Sequence, residues 1–298
     1  MTPSTIRHAL SPSRTRGVDR LDAQWLLLHV LGRRPTDRSW LVTHDDVMLT
    51  AVQADVYNAL LHRRASGEPL AYLVGYKEFF GLELQVDARV LVPRPDTETL
   101  VHWALDMLAE CVPADGGSVD VIDLGTGSGA VALSLARGFQ TRDQAARILA
   151  VDASLDALAV ASANALKLGL AVEFTHSNWL SKVSGRFHLI ASNPPYVAQT
   201  DAHLAALHHE PLSALASGTD GLDDLRAIIA QSPPHMLDGG WLLLEHGYNQ
   251  AGAVRDLLQQ AGFVQLGTRL DLSGVTRCSG GQWLRPPSQP NSEIIRAA

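Results

Sequence analysis

The sequence predicts an α/β protein: a mostly parallel, seven-stranded sheet covered on both faces, preceded by a small helical bundle and a connecting β-hairpin. Three observations carry this. Apolar residues recur at helical spacing, without strand signals, over residues 1–65. Short apolar runs alternate with amphipathic stretches from residue 118 onward. Glycine-rich or proline-rich turns follow two of those runs. Strands alternating with helices imply parallel pairing, with crossover helices on the faces.

In the first segment Leu21, Trp25, Leu28 and Leu31 fall on one helical face, and Gly32 with Pro35 stops the helix. Val47, Val52, Val56, Leu60 and Leu61 continue the pattern until Gly67-Glu-Pro69 ends it. The stretch from Phe79 to Val92 reads as a hairpin. Phe80, Leu82, Leu84 and Val86 alternate with polar residues, Asp87-Ala-Arg89 turns the chain, and Pro93-Arg-Pro95 breaks the second strand. Thr97 to Glu110 is then an amphipathic helix.

Val119–Leu124, Ile148–Val151, Ala171–Thr175, Phe187–Ala191 and Trp241–Leu244 read as strands, and Val131–Arg137 and Leu155–Leu168 as helices between them. Turn residues from Gly262 onward predict a terminal antiparallel pair. The expected organisation is a helical domain over 1–75, a hairpin linker over 76–96, a catalytic domain over 97–286 and a disordered tail over 287–298.

Composition narrows the function classes. The 298 residues are 46% hydrophobic and 18% charged, which excludes a disordered chain. No apolar run is long enough for a membrane-spanning helix. The net charge of −7 argues against a protein whose main partner is bare nucleic acid. Two distant cysteines, Cys111 and Cys278, make neither a disulfide framework nor a thiolate zinc site. Residues 1–20 lack a secretory apolar core. Their Arg/Ser/Thr-rich composition gives only a faint transit-peptide signal, because a helical pattern takes over directly afterwards. The expectation is a cytoplasmic monomer without membrane contact.

The run Gly125-Thr-Gly-Ser-Gly129 stands between a strand and a helix. Glycines there let the backbone approach a ligand and aim helix-end amides at it. Taken alone, a tight strand-to-helix turn explains the run as well. It is no P-loop, which needs a Gly-Lys-Ser/Thr ending. Asp152 ends the next strand, 23 residues after Gly129. A carboxylate there accepts from both hydroxyls of a ribose, which leaves NAD or S-adenosylmethionine. Asp123 favours the second, since an acid suits a cationic, amine-bearing ligand and would repel a pyrophosphate.

Ser192-Asn193-Pro194-Pro195-Tyr196 ends the fourth strand of the sheet, where ligands of open α/β sheets bind. The Asn193 side-chain oxygen and the Pro194 carbonyl can each accept one N–H of a planar –NH2 group. Two such bonds localise the nitrogen lone pair and aim it at an electrophilic methyl, with Tyr196 packed on the flat face. Catalysis of this kind is orientation plus charge stabilisation, and needs no strong base and no metal.

Asp123-Leu-Gly-Thr-Gly-Ser-Gly129, Asp152 and Asn193-Pro-Pro-Tyr196 together resemble the class I, S-adenosylmethionine-dependent amino methyltransferases, which have a Rossmann-like fold. Asn-Pro-Pro-Tyr is shared with adenine and cytosine amino methylases. Val92-Pro-Arg-Pro-Asp-Thr-Glu98, Gly67-Glu-Pro-Leu-Ala-Tyr-Leu-Val-Gly75, Glu210-Pro211, Leu244-Glu-His-Gly247 and Asp271-Leu-Ser-Gly274 with Arg277 narrow it. They resemble the release-factor glutamine methyltransferases (the HemK/PrmC group) over roughly residues 5–285.

The resemblance implies methylation of the glutamine amide in the Gly-Gly-Gln motif of peptide chain release factors, leaving S-adenosylhomocysteine and requiring no nucleic acid. It implies that Asn193 and Pro194 hold the amide, with Pro195 and Tyr196 around it. Gly125, Thr126, Gly127, Ser128 and Gly129 would line the cofactor, with Asp123 and Asp152 on it and Trp179 over the adenine. Arg94 and Thr97 sit on the run that closes over the site. Asn178 departs from the Asp usual before that tryptophan, and its carbonyl can still accept from the adenine amino group. The alternative is a nucleic-acid amino methyltransferase.

Three features are set aside. Gly280-Gly281-Gln282 copies the substrate motif and reads as a glycine turn before a final strand at Trp283-Leu284. His203, His208, His209 and Glu210 read as a solvated loop. Glu245 and His246 read as structural.

Overall fold

The computed structural model describes residues 4–12, 15, 17–110 and 117–285. The predicted tail over 287–298 lies outside the described residues. No helix among the described residues is long and apolar enough to cross a membrane.

Five helices form the N-terminal bundle: α1 (Ile6–Ala9), α2 (Arg20–Val30), α3 (Arg38–Thr43), α4 (Ala51–Ala65) and α5 (Leu70–Val74). Asp19 caps α2 by accepting from the Leu21 amide at 2.7 Å. Thr50 and Gln53 form a reciprocal capping box at the start of α4. Leu26, Leu27, Leu28, Tyr57, Leu60 and Leu61 make the core, and the Tyr57 hydroxyl donates to the buried Ala23 carbonyl. Pro69 does not end the bundle as the sequence reading has it. It caps α5, which sends Leu73 and Val74 into the same core.

The hairpin is β1 (Tyr76–Phe79) and β2 (Leu82–Gln85), and here the structure corrects the expectation. The turn lies at Phe80-Gly81, not at Asp87–Arg89. Both turn residues have positive φ (51° and 75°), as a two-residue hairpin loop with the right twist requires. Val90 and Val92 are buried, yet no ladder buries them. They pack with Ala71, Ala157 and Val160 in a satellite cluster that joins the bundle to the catalytic domain.

A 3-10 turn at Pro95–Thr97 leads into α6 (Glu98–Glu110). The sheet then builds from β3 (Val119–Leu124), β4 (Ala146–Asp152), β5 (Glu173–His176), β6 (Phe187–Ser192), β7 (Met236–Glu245), β8 (Val264–Leu270) and β9 (Thr276–Gln282). The order is β5-β4-β3-β6-β7-β9-β8, with the first five parallel and the last two added antiparallel. Between them run α7 (Ala130–Thr141), α8 (Leu155–Leu168), α9 (Asp223–Gln231) and α10 (Ala251–Gln260). Alternation along the strands splits the core. Val121, Ala150, Leu189 and Leu243 pack with α6 and α7. Ile122, Val151, Ile190 and Leu244 pack with α9 and α10.

The chain reverses direction across the sheet between β3 and β6, whose registers end at Leu124 opposite Ser192. That switch point sets Gly125 and Asn193 side by side at the carboxyl edge, where open α/β sheets bind ligands.

Gly280-Gly281-Gln282 is also corrected. It is the end of β9, not a turn, and Trp283 and Leu284 follow the strand. A Cβ on Gly280 would stand 2.5 Å from a Leu243 methyl and 2.6 Å from the Leu242 carbonyl oxygen. One on Gly281 would stand 2.7 Å from a Leu266 methyl. The glycines are there because neighbouring side chains close over the strand on both faces.

Candidate active site

A cavity of about 400 Å³ opens over the carboxyl edge of the sheet, within the size range of small-molecule sites. Its floor is the glycine loop. Gly125, Gly127 and Gly129 all have positive φ (72°, 56° and 86°), a region where a Cβ is strained. The Gly125 and Thr126 amides donate to the Val151 carbonyl and pin the loop to β4. A Cβ on Gly129 would meet Leu133 at 2.8 Å, so this glycine lets α7 pack. A Cβ on Gly125 would stand 3.1 Å from the Trp179 ring. Around Gly127 nothing lies within 4 Å of that position, so the backbone faces open cavity.

Two acids flank the loop. Asp152 has one oxygen accepting from the Gly127 amide at 2.9 Å and the other from the Ser154 amide at 2.8 Å. Each oxygen keeps a further acceptor site toward the cavity. Asp123 is buried below, where one oxygen accepts from the Thr126 hydroxyl at 2.7 Å and the Ala132 amide at 3.2 Å. Burial pushes its carboxyl up to about 7; the two hydrogen bonds oppose this, and the charge of Asp152 adds to it.

Ser128 is tied from behind. Asn164 on α8, fully buried, donates to the Ser128 carbonyl at 2.9 Å and to the Gln85 carbonyl at 3.0 Å, and accepts from the Gln85 amide at 2.7 Å. One amide thus links the glycine loop to the hairpin.

The side wall holds Asn178, exposed, and Trp179, whose indole N–H donates to Asp224 at 3.2 Å. Trp179 takes a positive φ of 49°. Across the cavity lies a roof of Pro93, Arg94, Pro211, Ser213 and Ala214. Arg94 pairs with Glu210, whose second oxygen accepts from the Val92 amide at 3.0 Å. Glu210 is therefore no part of a solvated loop. It is 6% exposed and fastens the two roof segments together. His208 is exposed, and His209 is half-buried and hydrogen-bonds the Ser66 carbonyl.

Asn193 and Pro195 complete the lining. The Asn193 side-chain N–H donates to the buried Thr97 hydroxyl at 3.1 Å. The Ser192 hydroxyl donates to the Leu124 carbonyl at 2.7 Å and locks β6 to β3 just before it. Pro194 is buried and does not line the cavity. Nor does Tyr196, the expected wall. Its hydroxyl is drawn to Glu245 at 3.3 Å, and its carbonyl accepts from Gln250 at 3.0 Å. Glu245 is fully buried. Burial pushes its carboxyl up to about 7, and the neighbouring Thr97 and Tyr196 hydroxyls oppose this.

The structure thus gathers Asp123, Gly125, Thr126, Gly127, Ser128, Asp152, Asn178, Trp179, Arg94, Thr97, Asn193 and Pro195 around one cavity, while Gly129 packs behind it against Leu133. It adds Asp224, Glu210, Asn164 and Glu245, which the sequence reading missed or took as structural. Glu210 stands in the Glu210-Pro211 motif, and that position is its signal in the sequence. Asp224 and Asn164 carried none.

Residues 6–75 match the PrmC N-terminal domain, and residues 100–217 match the methyltransferase small domain. The release factor glutamine methyltransferase of Xylella fastidiosa strain Temecula1 is 46% identical over 284 residues, covering 94% of this chain and 98% of that protein. The chain belongs to the release factor glutamine methyltransferase family. The family member of Pseudomonas aeruginosa is 44% identical over 270 residues, covering 89% of this chain and 92% of its own length. Among solved structures, the hMettl16 catalytic domain in complex with the MAT2A 3'UTR hairpin 6 is 15% identical with a TM-score of 0.54, covering 81% of this chain and 84% of that one. A Pyrococcus furiosus methyltransferase is 16% identical with a TM-score of 0.50, covering 69% and 91%. These two likenesses share the methyltransferase fold with this family member and carry nothing further.

Proposed function

We propose that this chain transfers a methyl group from S-adenosylmethionine to the side-chain amide nitrogen of the glutamine in the Gly-Gly-Gln motif of peptide chain release factors. One observation carries the chemistry: the Asn193 amide and the glycine loop with Asp152 open into the same cavity. The residues fit the cofactor. Open backbone at Gly127 admits its amino-acid end, and the spare acceptor sites of Asp152 suit two ribose hydroxyls. The Trp179 ring, packed on Gly125, offers a flat face for a base. Asp123 places negative charge beneath a cationic ligand. When bound, the cofactor supplies an electrophilic methyl on a positively charged sulfur.

The chain's own residues orient the acceptor. Thr97 already accepts from the Asn193 N–H, so the Asn193 oxygen remains for one N–H of the substrate amide. The other N–H is assigned to the Pro194 carbonyl, which follows Asn193 on the same loop but does not line the cavity in this structure. Pro194 and Pro195 keep this loop stiff, so little entropy is lost on binding. The amide proton leaves after transfer, and no group near the cavity needs to act as a strong base.

A glutamine side chain offers little area for recognising a large protein. The bundle over residues 1–75 supplies that area in this reading. It carries nine arginines against seven acids in a chain whose net charge is −7. It also exposes Val42, Met48, Val52 and Val56, of which Val52 and Val56 lie one turn apart on the same face of α4. The enzyme acts in this reading as a cytoplasmic monomer that needs no nucleic acid.

The test is intact-mass analysis of a purified release factor incubated with the enzyme and S-adenosylmethionine. A second sample carries a changed Gly-Gly-Gln glutamine. One methyl gained by the first sample alone supports the reading. No gain on either, with cofactor bound, overturns the substrate and turns the search to nucleic-acid amino groups.

A further inference from the structure

An asparagine side chain is nearly symmetric in shape, so its oxygen and nitrogen can exchange places at small steric cost. Methyl transfer as proposed above needs the oxygen toward the cavity. Thr97 alone cannot enforce that, because a hydroxyl can either accept from the amide nitrogen or donate to its oxygen. Something must commit the hydroxyl proton elsewhere.

Glu245 stands where it can do so. It ends β7, which runs parallel to β6 with Leu244 opposite Ser192, so Glu245 and Asn193 follow adjacent strand ends. Its side chain is fully buried. One oxygen, Oε1, accepts from the Tyr196 hydroxyl at 3.3 Å. The other, Oε2, has no partner of good hydrogen-bond geometry among the described residues. The Thr97 hydroxyl lies against the same carboxylate. A buried acceptor without a partner is costly, and the Thr97 proton is the donor at hand. Beyond them Arg277 pairs with Asp96 and Asp271, so a cation balances the acids on that side.

We infer that Glu245 is a positioning residue for methyl transfer: by taking the Thr97 proton it fixes the Asn193 amide with its oxygen toward the substrate, and by holding Tyr196 it clamps the other end of the same loop. The inference rests on the proposed reaction. It touches neither cofactor nor substrate directly, so its loss acts on turnover and leaves cofactor affinity alone.

The experiment uses the full-length enzyme and a release factor, with Glu245→Gln, Thr97→Val and Thr97→Ser. A glutamine at 245 can donate to Thr97 and so permits the flipped amide. The expected result is a fall in kcat of about tenfold or more for Glu245→Gln and Thr97→Val. S-adenosylmethionine affinity should stay within about twofold, and Thr97→Ser should restore most of the rate. A second readout needs no turnover. The Asn193 side-chain NH2, followed by 15N NMR in the cofactor-bound enzyme, should exchange slowly in the wild type and fast in Thr97→Val. Unchanged kcat in both variants overturns the inference, as does a loss confined to cofactor binding. Equal exchange in wild type and Thr97→Val overturns it too, whatever the substrate. A wild-type enzyme that fails to methylate the release factor, with the NH2 still protected, instead removes the proposed reaction and leaves the amide orientation standing.

Discussion

The two sides of the cavity are built by different means. The cofactor side is mostly backbone from one short segment, residues 125–128, with Asp123 below it and Asp152 beside it. The substrate side is held by side chains from three remote segments: Thr97, the Asn193–Tyr196 loop and Glu245. Each side contains a buried acid pushed up to about 7 by burial. They differ in their partners. Asp123 has a hydroxyl and an amide on one oxygen, whereas Glu245 has one bonded oxygen and one without a partner of good geometry among the described residues. A backbone site is broken by adding atoms, because its groups stay wherever the glycines allow. A side-chain site is broken by removing or reorienting a single group.

The sharpest test of that contrast is Asn193→Ala. It should lower methyl transfer by about a hundredfold or more, the scale seen when one oriented polar group is removed from a reaction site. Calorimetry should show S-adenosylmethionine binding within about threefold of wild type. Substantial turnover in this variant would break the division between the two sides.

Gly125→Ala probes the other side. The new methyl forces an unfavourable φ, at a cost of about 1–2 kcal/mol, and presses on the Trp179 ring. Cofactor affinity should fall about tenfold, while KM for the release factor stays near wild type. An equal rise in both would show that the sides are not separable.

The acids give a smaller, pH-dependent effect. Burial keeps Asp123 protonated up to about pH 7 in the free enzyme, and a cationic ligand favours its ionised form. S-adenosylmethionine affinity should therefore rise as pH increases through about 7, by at most about tenfold per pH unit. Asp123→Asn should flatten that rise. A wild-type affinity independent of pH between 6 and 8 would remove the cation-facing role of Asp123.

The smallest effect belongs to the bundle. Val52→Glu with Val56→Glu on α4 changes two exposed residues. The pair should raise KM for the release factor several-fold, as loss of about 1 kcal/mol of contact would, with kcat and cofactor affinity unchanged. No change in KM would move protein recognition off this face of the bundle.

Much of the fold was legible because its signals are local. Apolar runs such as Val119–Leu124 mark buried parallel strands, and Gly125-Thr-Gly-Ser-Gly129 marks a turn that only glycine-rich backbone can make. Alternation misplaces the hairpin turn because Phe80, a bulky residue, adopts positive φ where the pattern reads as a strand. Gly280-Gly281 looked like a turn because the same residue serves turns and crowded strands; only the Leu243 and Leu266 side chains distinguish them.

The sequence by itself determined the order of elements, the glycine loop, the Asp152 partner and the Asn193-Pro-Pro-Tyr196 loop. These follow from backbone preferences and from spacing within a few dozen residues. Only the tertiary structure decided what holds them. Glu210 reaches Val92 across 118 positions, Thr97 reaches Asn193 across 96, and Asn164 reaches Gln85 across 79. A buried polar group must find a partner wherever the packing brings one, and periodicity along the chain carries no record of which partner that is.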